Sequence, residues 1–418
     1  MTAPVAAADA PTLKALLGQR SYVLMWLARL SGNLGGQVQA IALAWQVYAV
    51  ARLSGSVAQG AFAVGMLGLA SFLPMFFLAL IAGETADRHD RRLIMAIANL
   101  VELACSAGLC VLAFTHSAAL WPIYLIAVAF GAARAFFQPA SGALGPTLVP
   151  PRLLPRAIAM NSLSWQLASV VGPAIGGLLV AGSSTLAFGV AGGLFCLSVL
   201  LLTTFASPPQ SGAGGASRRE QIREGLAYLW TNKFVLGAIS LDLFAVLLGG
   251  ATALLPVYAR DVLHAGSTGF GILRAAPSVG GVTMAVMFST RPIRRHAGIK
   301  MFLAVAGFGL ATVAFALSRS IWLSAIVLAL LGASDMVSVF IRQSLVQIRT
   351  PNEMRGRVGA VASLFIGASN ELGEFESGVA ARFLGPVGAA LFGGVGSLAV
   401  TGLWALLFPE LRRADRLE

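Results

Sequence analysis

Twelve apolar stretches follow one another along this chain, and each is long enough to cross a bilayer as a helix, which takes about 20 residues. Clusters of charge, proline and glycine separate them. They lie near residues 21–49, 57–82, 93–115, 120–145, 157–181, 185–206, 233–258, 267–290, 299–317, 321–345, 357–381 and 386–408. None shows the alternating pattern of a barrel strand. The sequence therefore predicts an all-α integral membrane protein with twelve transmembrane helices.

The composition excludes most other classes of protein. Hydrophobic residues make up 57% of the 418 residues and charged residues 11%, whereas soluble domains carry about 25% charged residues. The chain has no phosphate-binding loop of the kind that ATP-driven pumps use. Its cysteines lie in apolar stretches, its histidines lie near loops, and none has zinc-ligand spacing. We therefore expect no enzyme activity, no cofactor and no metal.

The positive charge is distributed very unevenly between the two sides of the predicted bundle. With both termini on one side, that side receives 21 of the 29 lysine and arginine residues, and the other side receives four. Because cytoplasmic loops are enriched in these residues, we predict cytoplasmic termini in a bacterial inner membrane. The net charge of +12 thus reflects topology and not a nucleic-acid site. The remaining arginines lie within the stretches: Arg29, Arg134, Arg274 and Arg342.

The chain also divides into two halves. Residues 207–232 form the one long polar segment, a predicted linker that ends in an amphipathic helix from Ser217 to Trp230. The flanking regions, 1–206 and 233–418, each hold six stretches. Residues 144–163 align with 345–364 without gaps, and Arg291 and Arg294 follow the eighth stretch as Arg88 and Arg91 follow the second. This repeat predicts two pseudo-symmetric six-helix bundles with a substrate site between them.

GETADRHDRR (83–92), after the second stretch, resembles the G-x-x-x-D-R-x-x-R-R loop of the major facilitator superfamily. The resemblance covers essentially the whole chain and implies that superfamily's fold. It also implies an inner gate held by ion pairs and helix-end contacts. The residues at the matching positions are Gly83, Asp87, Arg88, Arg91 and Arg92.

A second motif, SVVGPAIGGLL (169–179), resembles the antiporter signature of drug:proton exporters in the fifth stretch. Its matching residues are Gly172, Pro173, Gly176 and Gly177. Segments 136–150, 223–230 and 355–386 resemble the enterobactin-exporter-like branch, which also includes multidrug efflux proteins. These resemblances imply a proton-coupled exporter of a siderophore- or drug-like molecule.

Acidic residues within the stretches are candidates for the coupling site, because ionised groups are costly inside a membrane. They are Glu102, Asp242, Asp335, Glu371, Glu374 and Glu376. Glu371 and Glu374 are three residues apart, so they share a helix face. Two carboxylates so close and so poorly hydrated are able to hold a proton near neutral pH. Alternatively, the acids form static pairs with the four buried arginines.

We therefore predict a proton-coupling and substrate cavity formed by Glu371, Glu374, Asp242, Glu102, Asp335, Arg134, Arg29 and Asn370. Drug antiporters often carry an arginine in the fourth span that takes part in proton transfer, a role that the resemblance suggests for Arg134. The predicted protein is a monomer whose partners are the bilayer, a small amphipathic substrate and protons. Two alternatives remain: efflux of a divalent metal through the glutamates of the eleventh stretch, and lipid scrambling.

Overall fold

The computed structural model describes residues 13–206, 218–290 and 295–415, and all regular structure in these ranges is helical. The helices are α1 (Leu13–Leu17), α2 (Arg20–Ser54), α3 (Val57–Arg88), α4 (Arg91–Phe114), α5 (Trp121–Thr147), α6 (Leu154–Gly182), α7 (Ser184–Thr203), α8 (Arg218–Thr231), α9 (Lys233–Leu248), α10 (Leu255–Val257), α11 (Gly266–Thr290), α12 (Ala297–Leu317), α13 (Ile321–Arg349), α14 (Asn352–Leu407) and α15 (Pro409–Arg412). The predicted all-α class is confirmed. Linker residues 207–217 and the arginines Arg291 and Arg294 lie outside the described residues.

Ten helical segments of the described residues are long and apolar enough to cross a membrane. The first predicted stretch corresponds to α2, which has 35 residues but is interrupted by polar side chains such as Arg29 and Gln39. The last two stretches correspond to α14, which is bent at Gly385. Gly385 has a φ of 71°, in the left-handed region that favours glycine, and Pro386 follows it. The bend coincides with the predicted boundary between the eleventh and twelfth stretches.

Local sequence explains where several helices begin. The Ser56 hydroxyl accepts a hydrogen bond from the Gln59 backbone N–H, and the Gln59 side chain accepts one from the Ser56 N–H, so that α3 starts with a capping box. The Asp90 carboxylate accepts hydrogen bonds from the first turn of α4, and the Asn232 side chain caps α9 in the same manner. These caps satisfy backbone donors that would otherwise be left free where the chain turns back into the bundle.

The long helices pack as two sets, which we call the first set (α2–α7) and the second set (α9–α14). In the first set, α2 packs against α6 and α7, α5 packs against α3 and α4, and α4 packs against α7. In the second set, α14 packs against α9 and α12, while α13 packs against α11 and α12. Between the sets, α3 packs against α14 and α6 packs against α11.

Glycine residues bring the backbones of the two sets close together. A Cβ atom on Gly65 of α3 would lie 2.8 Å from the Gly378 Cα of α14. A Cβ atom on Gly177 of α6 would overlap the Gly271 backbone of α11. Lipid tails are as apolar as leucine, so such close van der Waals packing stabilises helix contacts within a bilayer.

The outward faces of the helices are apolar. Phe77 is 68% exposed, Leu178 62% and Leu406 74%. Exposing such side chains to water costs about 25 cal/mol of free energy per Å² of apolar surface. Their distribution along the long helices therefore indicates a surface covered by lipid.

The linker helix α8 begins and ends within one residue of its predicted bounds, Ser217 and Trp230. It packs along α14, where Gly225 lies against the Arg357 backbone. A Glu224–Arg357 ion pair of 2.7 Å joins the two helices. Leu229 is buried on this side, whereas Trp230 is 73% exposed. Leu229 and Trp230 thus lie on differently exposed sides of this helix.

Candidate functional site

A group of four charged residues lies where the two sets meet. Glu374 of α14 forms an ion pair with Arg274 of α11, with 3.6 Å between Oε1 and Nη2. The Thr252 hydroxyl also donates to Glu374 Oε1, at 3.4 Å. Both charged side chains are mostly buried. The Glu374 carboxylate is therefore held by a cation and a hydroxyl, both of which belong to the second set.

Glu371 lies one turn before Glu374 and links the group to the first set. The charges of Glu374, Arg134 and Arg274 all act on its carboxylate. Arg134 belongs to α5 of the first set, and its guanidinium lies 5.6 Å from the centre of the Phe130 ring. We call Arg134, Arg274, Glu371 and Glu374 the central charge cluster. It contains two cations and two acids, so its net charge is zero when both glutamates are ionised.

Glycine also allows α3 to approach the acidic face of α14. A Cβ atom on Gly68 would lie 3.2 Å from Glu374 Cβ and 3.5 Å from the Glu371 carbonyl oxygen. A larger residue would push α3 away from the helix that carries both glutamates. The central charge cluster thus lies directly at the contact between the two sets, where a change of charge acts on both of them.

Glu102 lies further from this contact, inside the first set. It is 3% exposed on α4, and the charge of Arg134 acts on it as well. A polar layer extends along the same helix. The Ser106 hydroxyl donates to Gln39, and the Asn99 amide donates to the Ser198 hydroxyl at 2.9 Å. Arg134 therefore lies within electrostatic range of acids in both sets.

Asp242 and Asp335 form a separate group within the second set. Asp242 of α9 makes an ion pair with Arg342 of α13, and their side chains are 8% and 5% exposed. Asp335 lies two turns before Arg342, and the charges of Asp242 and Arg342 act on it. Asp242 therefore has an arginine as its direct partner.

The other two predicted cavity residues lie in different surroundings. Arg29 of α2 donates from Nη1 to the Ser141 carbonyl of α5 at 3.2 Å, so it joins two helices of the first set. Asn370 precedes Glu371 and is exposed. The Glu376 carboxylate accepts a hydrogen bond at Oε2 from the hydroxyl of the next residue, Ser377, at 3.5 Å.

The loop between α3 and α4 holds its arginines by helix-end contacts within the first set. Arg91 donates to the Ala86 carbonyl at 3.0 Å and to the Ala143 carbonyl at 3.1 Å. Arg92 donates to the Phe205 carbonyl at the end of α7, and Arg88 pairs with Glu84 at 2.6 Å on an exposed surface. In the last turns of α3, Gly83 is buried and Asp87 is half-buried. Within the described residues Asp87 makes no ion pair.

The motif of the fifth stretch lies at two helix crossings. A Cβ atom on Gly172 would lie 2.5 Å from Gln37 Cβ, and one on Gly176 would lie 3.0 Å from Ile41 Cβ, both on α2. Gly177 and the Pro173 carbonyl face Gly271 of α11. The motif therefore places α6 against one helix of each set.

Sequence reasoning missed one cross-set contact. Arg52 at the end of α2 forms an ion pair with Asp261, with 3.2 Å between Nη2 and Oδ1. The Tyr48 hydroxyl also donates to Asp261. We call Tyr48, Arg52 and Asp261 the end latch, and the end of the bundle that carries it the latch end. The sequence does show that Arg52 and Asp261 carry opposite charges on the side of the membrane with few cations. Nothing in the sequence indicates, however, that the two loops lie next to each other.

No group of three His, Cys, Asp or Glu side chains arranged to hold a metal ion occurs in the described part of the chain. Glu374 instead pairs with Arg274, and Glu371 lies beside it. Arg274 belongs with the site residues too, although the sequence marked it only as one arginine among four.

Comparison with known proteins gives a consistent picture. A family model described as transmembrane secretion effector matches residues 12–417. The multidrug efflux pump Tap of Mycobacterium tuberculosis (strain ATCC 25618 / H37Rv) is 26% identical over 406 residues, which cover 94% of each chain. The enterobactin exporter EntS of Escherichia coli O81 (strain ED1a) is 27% identical over 340 residues, which cover 81% of this chain and 82% of that one.

Solved structures share the fold at low sequence identity. The D-xylose-proton symporter superposes with a TM-score of 0.73 at 14% identity, covering 95% of this chain and 99% of the other. The POT family transporter PepTSo gives a TM-score of 0.74 at the same identity and coverage. At these identities the likeness concerns the fold alone.

Proposed function

Because the chain belongs to the transmembrane secretion effector family of the major facilitator superfamily, we propose that it exports a small amphipathic molecule from the cell by proton antiport with alternating access. The observation that carries the proposal is the central charge cluster. Its acids lie on α14 of the second set, and one of its arginines lies on α5 of the first set. Proton binding at the cluster therefore acts on the contact between the sets.

The proposed topology has twelve membrane helices in two pseudo-symmetric bundles, with both termini in the cytoplasm of a bacterial cell. Its bundles are residues 1–206 and 233–418, joined by the linker 207–232. The ten membrane-length segments, the length of α2 and the bend at Gly385 support the helix count. The excess of Lys and Arg on one side supports the orientation. We propose that the chain works as a monomer, since each of its two bundles supplies part of the charge cluster.

The coupling step follows from the charge balance of the cluster. With Glu371 and Glu374 ionised, two carboxylates attract Arg134 and Arg274 and hold α5 near α14. A proton on either glutamate leaves the cluster with a charge of +1, so the attraction between the sets weakens. Bound substrate replaces the lost contacts between the sets in one of the two conformations only. This difference in binding between the conformations is what couples substrate to proton.

The structure corresponds to an inward-facing state in this proposal. The end latch joins the two sets at the end that we assign to the outside of the cell. The Gly65–Gly378 and Gly177–Gly271 contacts also lie in the parts of their helices nearer that end. The arginines of the α3–α4 loop, by contrast, bind carbonyls of their own set.

The names of the relatives guide the choice of substrate. One is called a multidrug efflux pump and another an enterobactin exporter. We propose a siderophore- or drug-like substrate for this chain, which makes ethidium and enterobactin suitable probes.

The experiment measures transport in proteoliposomes with an imposed pH gradient. We expect Glu371→Gln and Glu374→Gln to abolish gradient-driven transport of whichever probe the wild type carries, while Glu353→Gln, at the exposed start of α14, transports normally. Normal coupled transport by both cluster variants would overturn the assignment. Scrambling of a fluorescent lipid without any gradient, followed by dithionite quenching, would overturn the exporter proposal itself.

A further inference from the structure

A cavity of about 530 Å³ opens at the end of the bundle opposite the end latch. Three membrane-length helices end there. Helix α9 begins at Lys233, α13 ends at Arg349, and α14 ends just before Glu410, and all three of these side chains line the cavity. Since long apolar helices end where the hydrocarbon layer meets the headgroups, the cavity lies at the depth of lipid headgroups.

Two cations form part of its wall. The Arg349 guanidinium lies 4.8 Å from the centre of the Phe234 ring, a cation–π contact that leaves its N–H donors free for an anion. Lys233 is exposed in the first turn of α9, where the helix dipole favours negative charge. Among the described residues, no carboxylate lies within ion-pair distance of either cation.

The polar side chains of the wall are held in place before any ligand arrives. The Tyr228 hydroxyl donates to the Arg349 carbonyl at 3.2 Å and accepts from the Asn232 amide at 3.0 Å. The Asn232 side-chain oxygen accepts from the Val235 N–H at 3.1 Å, and the Thr231 hydroxyl donates to the Tyr228 carbonyl at 2.9 Å. Side chains already held in this way lose little entropy when a ligand binds.

The helix beside the cavity is suited to lie on a membrane. Trp230, adjacent to the lining residue Thr231, is 73% exposed, whereas Leu229 is 1% exposed against the second set. Tryptophan is enriched at the boundary between lipid and water. The cavity is therefore accessible to a molecule whose polar part lies in the headgroup layer and whose apolar part lies in the bilayer.

We propose that this cavity binds the phosphodiester headgroup of a membrane lipid, with the phosphate held between Lys233 and Arg349. The two cations and Glu410 give the lining a net charge of +1, which a phosphodiester of charge −1 balances. Glu410 is placed to accept hydrogen bonds from the hydroxyl groups of a glycerol headgroup. Inorganic phosphate shares the phosphate chemistry but has no acyl chain to lie along the helix ends. The site is independent of the exported molecule and of the central charge cluster.

Native mass spectrometry of the full chain in detergent tests the proposal, with phosphatidylglycerol, diacylglycerol and inorganic phosphate as separate probes. We expect the wild type to retain phosphatidylglycerol and to retain no diacylglycerol, which has the same chains but no phosphate. Lys233→Gln with Arg349→Gln should lower phosphatidylglycerol retention by about tenfold or more, because charge-assisted hydrogen bonds are lost. The matched control is Arg152→Gln with Arg156→Gln, two exposed cations after α5.

The outcomes separate lipid binding from the other readings. Equal retention by the cavity variant and the control variant would overturn the proposal. Displacement of the lipid by inorganic phosphate at equal concentration would assign the cavity to a soluble phosphate ligand instead. Lys233→Arg keeps the charge and should retain the lipid, whereas Lys233→Gln should not. Equal loss in these two single variants would show a packing defect and not phosphate recognition, again overturning the proposal.

Discussion

The guanidinium of Arg52 and the carboxylate of Asp261 lie 3.2 Å apart, although 209 positions separate the two residues in the chain. The pair joins the last turn of α2 to the π-helical turn Tyr258–Val262. The two side chains are 25% and 20% exposed, so water screens the pair only in part. The Tyr48 hydroxyl donates to the same carboxylate, which adds a third group to the contact between the sets.

Removing the charge of Asp261 should open the latch end. We expect Asp261→Asn to cost about 1.5–3 kcal/mol of closed-state stability, the usual value of a hydrogen bond to a charged group. The distance distribution between spin labels at residues 53 and 264, measured by pulsed electron resonance in a background without native cysteines, should shift to longer distances. Arg319→Gln is the control, because Arg319 bonds within its own loop. An unchanged distribution in Asp261→Asn would contradict the latch.

The latch shows where sequence reasoning stops. Charge and hydropathy along the chain predicted the apolar stretches and the linker helix, because both depend on residues close together in sequence. The contact of Arg52 with Asp261 depends on how two distant helices cross. That crossing is set by backbone approach at residues such as Gly177 and Gly271, which a single sequence does not reveal.

The buried pair of Asp242 and Arg342 should contribute to stability. Asp242→Asn leaves a buried arginine without its carboxylate, and losing one partner of a buried pair costs about 3–5 kcal/mol. We expect a clear loss of thermal stability in detergent. The double variant Asp242→Leu with Arg342→Met should lose less than Asp242→Asn alone, because it removes both charges of the pair and leaves no buried arginine without its partner. Stability of Asp242→Asn equal to that of the wild type would show that the pair is not a structural contact.

Close packing of α6 against α11 predicts a steric block. Leucine at position 177 would overlap the Gly271 backbone, so we expect Gly177→Leu to hold the sets apart there and to abolish transport of the wild-type probe. Gly189→Leu is the matched control, since space is open around a Cβ atom at Gly189 in α7. Both variants should reach the membrane in equal amounts, as measured by immunoblot. Normal transport by Gly177→Leu would mean that the crossing is not needed.

The sequence indicated the acids of the central charge cluster better than their partners. Glu371 and Glu374 are three residues apart, so the helical period alone places them on one face. Arg134 and Arg274 were visible as cations within apolar stretches, but their approach to these glutamates needs α5, α11 and α14 to meet. The cost of burying charge in a membrane is enough to identify these residues as candidates. The structure adds which acid lies next to which arginine.

The ion pair of Arg274 and Glu374 predicts variants in which exchange of the probe is retained while proton coupling is lost. Arg274→Gln alone leaves the cluster with an excess negative charge, and Glu374→Gln alone leaves an excess positive charge, so each single variant should slow gradient-free exchange of the probe. Gradient-driven transport should be slowed in Arg274→Gln and abolished in Glu374→Gln. The double variant keeps the cluster neutral. We expect it to recover exchange and not gradient-driven transport, because one proton-binding carboxylate is still missing. Both rates are measured in the same proteoliposomes, with and without a pH gradient. Recovery of both rates would mean that Glu374 serves only as a partner for Arg274.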